Sequence, residues 1–128
     1  TYLNFKMIYL LNLFCAFLMV LSNSLIKKTL HGINLNWHGK PTEWILNFLN
    51  LFKFPLFWAA LISFICSILA WIYIISVQNI STAYPIQISF VFILTTISGV
   101  YFFNEKLSTT GLIGLCVILL GIFISLKS

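Results

Sequence analysis

Charge is almost absent from this chain, and where it falls decides what the chain can fold into. Among 128 residues there are seven lysines, two glutamates and no other acidic or guanidinium side chain. These leave three stretches without a formal charge: Met7 to Ile26 (20 residues), Phe54 to Asn104 (51 residues) and Leu107 to Leu126 (20 residues). A bilayer core about 30 Å thick needs roughly 20 apolar residues of helix, since each residue rises about 1.5 Å. The outer stretches can each supply one span, and the middle one can supply two joined by a turn. Composition agrees: 61% of residues are hydrophobic and 7% charged, against about 25% charged in a soluble domain. The sequence therefore predicts an all-α membrane protein, a single transmembrane domain over residues 1–128 with four spanning helices.

The same arithmetic excludes several functions. No room is left for a soluble catalytic domain, and no G-x-x-x-x-G-K-[ST] phosphate loop is present. Neither enzymatic activity nor a cofactor is expected, and nothing in the pattern points to nucleic acid. Cys15, Cys66 and Cys116 are odd in number and lie inside predicted spans, where a lone thiol behaves as a small apolar filler. His31 and His38 have no cysteines or carboxylate pairs at ligand spacing, so they are expected to be solvated loop residues and not zinc ligands. Lys6 precedes an apolar run as it would in a signal peptide. That run is 20 residues long and lacks an A-x-A-like cleavage site, so it reads as a retained first helix.

The spans are expected at about 7–26, 55–77, 84–103 and 110–126. On the first, Asn12, Ala16, Met19, Asn23 and Lys27 recur on one stripe of a 3.6-residue helix. Side-chain amides in hydrocarbon need partners, so this stripe should face inward. It serves either interhelical hydrogen bonding or a substrate path. The first connection, Lys27 to Lys53, carries the turn signals His31-Gly32 and His38-Gly39-Lys40-Pro41. Within it, residues 42–53 place Trp44, Phe48 and Phe52 on one side and Glu43, Asn47 and Asn50 largely on the other. That suits a short amphipathic helix at the membrane surface, the alternative being a frayed extension of the second span kinked at Phe54-Pro55.

Ser63, Ser67 and Trp71 lie four apart on the second span, where small hydroxyl residues admit a close neighbour. Gln78 to Thr82 is read as a tight turn, and Pro85 is expected in the first turn of the third span, where its missing N–H costs little. Tyr84 and Gln87 are neighbours there. The fourth span carries Gly111, Gly114 and Gly121, a small-residue groove of the kind that packs helix on helix.

With four crossings, Lys6 and Lys127 share one side of the membrane, and Lys27, Lys28, Lys40, Lys53 and Lys106 the other. The bias places the first and third connections in the cytoplasm and is modest enough to leave dual insertion open. No carboxylate lies inside a span, so proton-coupled export of a cation lacks its usual carrier. Lys27 and Lys28, at the end of the first span, either mark topology or attract an anionic headgroup.

Val77-Gln78-Asn79-Ile80-Ser81-Thr82-Ala83-Tyr84-Pro85, Phe103-Asn104-Glu105-Lys106-Leu107, Gly114-Leu115 and Leu120-Gly121-Ile122 together resemble the small four-helix members of the drug/metabolite transporter superfamily, those with the small multidrug resistance fold. The Q-N then A-Y-P variant is most similar to the flippase subunits that move aminoarabinose-phosphoundecaprenol across the bacterial inner membrane. The resemblance covers the second half well, the first span more loosely and the first connection hardly at all. Drug exporters of this fold carry a glutamate in the first span where this chain has Met19, and a tryptophan where it has Gln87, while Tyr84 matches their binding-site tyrosine. The resemblance implies a membrane transporter or flippase subunit, a homodimer or a heterodimer with a related small subunit, acting on a polyprenyl-phosphate sugar or similar anionic lipid. Lys27 and Lys28 would take the phosphate, and Asn12, Asn23, Tyr84 and Gln87 the sugar. The alternatives are a non-transporting subunit of a larger complex and a cation exporter with another proton site.

Overall fold

The computed structural model describes residues 5–33 and 38–127, so part of the first connection, residues 34–37, lies outside the described residues. Among these there are five helices and no strand: α1 (Phe5–His31), α2 (Pro41–Leu51), α3 (Pro55–Val77), α4 (Ile80–Phe102) and α5 (Thr109–Lys127). All but α2 are long and apolar enough to cross a bilayer. The chain is a multi-pass membrane protein built on four such helices.

Two boundaries differ from expectation. α1 continues beyond Ile26 to His31, because lysine is a good helix former and cationic side chains suit the negative end of the helix dipole. His31 is therefore not a loop residue. It closes α1 with its ring tilted against Phe103, centroids 5.7 Å apart. The turn before α4 is also tighter than Gln78 to Thr82: only Gln78 and Asn79 are extended, and the helix is under way at Ile80. Pro85 is thus inside α4, not in its first turn. Its ring removes the bond to the carbonyl of Ser81, an exposed residue, so the loss falls where it costs least.

The amphipathic segment is a helix of its own. Pro41 begins α2 and Glu43 sits in its first turn, both suited to a helix N-terminus. Phe54 is extended (φ −98°, ψ 129°), as a residue before proline must be, and this separates α2 from α3. Trp58 Nε1 donates to the Phe52 carbonyl (2.7 Å), and the Phe52 ring meets Phe57 and Trp58 edge-on at 5.1 and 5.6 Å. These contacts tie the end of α2 to the start of α3, while Trp44, Ile45, Phe48 and Leu49 stay exposed.

α1 is the hub. It packs along α3 and α4, which touch each other little, and α5 leans mainly on α4 with no residue buried. Fully buried Ala16, Ala60 and Ala83 let the backbones approach closely. Ser22 meets α3 at Ala60 and Cys15 meets it at Ser67, so these helices run antiparallel. Ser24 meets α4 at Ser98, and Asn12 lies beside Gln87, so those two run parallel. Lys27, Lys28, His31 and Glu105 consequently gather at one end of the bundle.

After α4 the chain reverses at Asn104, which adopts a left-handed φ of 52°. Asparagine tolerates that region better than other non-glycine residues. The reversal lets the Glu105 N–H donate to the Gly99 carbonyl (3.0 Å). Asn104→Val should cost about 1–2 kcal/mol through the left-handed penalty, and Asn104→Gly much less. Thermal unfolding of the two variants in detergent measures the difference.

Candidate functional site

Every second turn or so, α1 presents an uncharged polar side chain to a neighbouring helix. Asn12 is completely buried. Its Nδ2 donates to the Ile8 carbonyl one turn back (2.9 Å) and to Gln78 Oε1 (3.4 Å). Gln87, in the amide orientation that satisfies both groups, donates to Asn12 Oδ1 (3.2 Å) and to the Asn12 carbonyl (2.9 Å), and accepts from the Ala16 N–H (3.1 Å). Gln78 Nε2 is buried and has no hydrogen-bond partner among the described residues.

Further along α1, Cys15 and Ser67 exchange bonds: Cys15 Sγ donates to the Ser67 carbonyl (3.3 Å), and Ser67 Oγ donates to the Cys15 carbonyl (3.3 Å). Cys15 is thus a polar contact as well as a filler, whereas Cys66 and Cys116 are exposed. Ser22 Oγ donates to the Ala60 carbonyl (2.8 Å), and the Ser24 and Ser98 hydroxyls share a bond of 2.7 Å. The ladder ends at the lysines.

Those two lysines have different surroundings because successive helical residues point about 100° apart. Lys27 turns toward α4, where its ammonium pairs with Glu105 and stands 4.8 Å from the centre of the Phe103 ring. The Glu105 carboxylate lies where a side chain on Gly99 would otherwise project, so a glycine at that position makes room for the pair. Lys28, the next residue along, lines a groove between α1 and α4 of about 660 Å³. Phe17 and Leu21 wall it from α1, and Leu94, Ile97 and Phe102 from α4. Ser24 and Ser98 lie on its floor, and Lys28 and His31 at its end.

The residues expected to form one site are only partly brought together. Asn12 and Gln87 bond directly, 75 positions apart in the chain. Tyr84 is exposed, with its ring 6.0 Å from that of Trp71. Asn23 is exposed: it points between Ser22, which bonds α3, and Ser24, which bonds α4. The stripe running through it to Lys27 is therefore inward-facing at Asn12 and Ala16, half-buried at Met19 and open at Asn23. Lys27 already holds Glu105, so Lys28 is the lysine left open to an anion. Gly111, Gly114 and Gly121 are exposed on α5, and nothing lies within 4 Å of where a side chain on Gly114 or Gly121 would begin.

Glu105, Gln78 and the Ser24–Ser98 pair were not legible as site residues. Gln78 and Glu105 sit in connections, and only the bundle brings them onto α1. An amide in the middle of the longest charge-free stretch was the one available signal for Gln78. Comparison with known protein families, curated proteins and solved structures gives no match to this chain.

Proposed function

We propose that this chain is a transporter or flippase subunit that moves a polyprenyl-phosphate-linked sugar, or a related anionic lipid, across a bacterial inner membrane. The first and third connections would lie in the cytoplasm. The observation that carries this reading is the ladder of uncharged polar groups along α1, from the Asn12–Gln87–Gln78 amides to Lys28. A headgroup rich in hydroxyls can exchange hydrogen bonds along such a ladder while its chain stays in the hydrocarbon. The buried Gln78 N–H without an acceptor supports it, since an unmet donor costs about 1–3 kcal/mol and a passing hydroxyl oxygen would satisfy it. Cation export is less well supported: among the described residues no carboxylate lies within the spans, and Glu105 is held by Lys27.

A second reading, in which the polar groups only pack helices for a partner subunit, is favoured by one fact. Asn12, Cys15, Ser22 and Ser24 are each already bonded within the fold. Proteoliposomes carrying undecaprenyl-phosphate-linked sugar in both leaflets distinguish the two. With an impermeant oxidant outside, the transport reading expects the oxidised fraction to climb from the outer-leaflet share to nearly all. A plateau at the outer share defeats it.

Four helices enclose little space, and the glycine face of α5 is open, so the functional unit is proposed to be a dimer of this chain or of this chain with a related small subunit. Close approach across Gly114 and Gly121 would hold it. Gly114→Leu or Gly121→Leu should then give monomers by crosslinking in detergent. An unchanged dimer puts the interface elsewhere.

A further inference from the structure

We propose that the groove between α1 and α4 is a docking site for one anionic lipid, its hydrocarbon chain between the helices and its phosphate on Lys28. The inference rests on the transport reading for its class of ligand and adds where that ligand first sits.

Three features select this occupant. The first is length. From Phe17 to Lys28 the groove follows twelve residues of α1, about 16 Å of helix, which is roughly half a bilayer core. A chain reaching from the interface toward the midplane fits that span. The second is polarity. Apart from the end, the lining is hydrocarbon and aromatic but for the hydroxyls of Ser24 and Ser98, which hydrogen-bond each other. The groove therefore asks nothing polar of what fills it, and its volume of about 660 Å³ lies within the roughly 300–1,000 Å³ of ligand sites.

The third feature is charge. Lys28 and His31 stand together at the groove's end, no acidic residue lines it, and Lys28 has no carboxylate partner among the described residues. Lys27 is less suited to the role because its ammonium is already paired with Glu105 and stands over the Phe103 ring. The Lys27–Glu105 pair thus holds Phe103 in place as part of the groove wall while leaving the neighbouring ammonium to the phosphate.

The test uses the full chain in phosphatidylcholine bilayers, with spin-labelled phosphatidic acid and spin-labelled phosphatidylcholine as probes and the motionally restricted fraction as readout. Phosphatidic acid should be retained several-fold more than phosphatidylcholine. Lys28→Gln should remove most of that preference, while Lys106→Gln, on the same side but outside the groove, should leave it intact. Ile97→Trp, which fills the groove, should lower retention of the acid lipid. Should that variant fail to fold, Phe17→Trp on the opposite wall makes the same test. A preference that survives Lys28→Gln, or falls equally with Lys106→Gln, overturns the proposal. So does displacement of the lipid by inorganic phosphate at matched ionic strength, which would make the site one for free anion. A protein that keeps the Lys28-dependent preference yet moves no lipid-linked sugar supports the docking site and defeats the transport reading.

Discussion

Gln87→Leu is expected to destabilise the bundle by about 1–3 kcal/mol, the cost of leaving buried polar groups without partners. Leucine preserves volume and apolar contact, so the loss isolates the amide. Removing it takes away all three of its bonds to α1 and strands Asn12 Oδ1 in a fully buried position. Interhelical hydrogen bonds in membranes average only about 0.6 kcal/mol because the unfolded helices find other partners. Here a single side chain bridges a carbonyl, an N–H and an amide of the same helix, so the effect should sit well above that average. Asn12→Leu should cost a similar amount, and the double variant less than the sum, because the second change removes a group already stranded. Unfolding of the four proteins in mixed detergent measures the coupling. Strict additivity would show that the two amides do not act together.

Ala16→Leu is expected to do comparable damage by the opposite route. Ala16 is completely buried on the hub helix, and its N–H is the one that reaches Gln87. Extra carbons at a position with no exposed surface press on the helices packed around it, α4 among them, at about 1–3 kcal/mol for overpacking a filled site. A shift of α4 carries Gln87 with it, so the hydrogen-bond loss adds to the steric one. Leu120→Phe, on the exposed face of α5, should change stability by less than about 0.5 kcal/mol. Parallel thermal unfolding of the two variants checks the contrast. Equal losses at both positions would mean that α1 is not the hub.

Much of this architecture could be read from the chain. Four spans follow from where nine charges fall, because hydrocarbon thickness fixes helix length, and α3 starts and ends where Pro55 and the Gln78-Asn79 pair put it. Asn12 stands out as an amide in a charge-free run, and its burial follows from the cost of leaving it in lipid. Its partners could not be read, because Gln78 and Gln87 reach it only through packing over 66 and 75 positions. Asn23 shows the limit of periodicity. It shares the face of Asn12 by arithmetic, yet it lies open because its neighbours Ser22 and Ser24 take α3 and α4 to either side. Lys27 and Lys28 are equivalent in sequence. What separates them is a loop glutamate brought back by the left-handed turn at Asn104.

The proposed transport reading has the polar side of α1 pass a lipid headgroup and not a cation driven by protons. It is tested most directly by offering both cargoes to one preparation: proteoliposomes holding lipid-linked sugar, with a quaternary ammonium dye outside, assayed with and without an imposed pH gradient. The sugar headgroup is expected to become accessible across the membrane at the same rate in both conditions, with no accumulation of the dye. Dye accumulation that requires the gradient, with the sugar lipid confined to its leaflet, would contradict this reading.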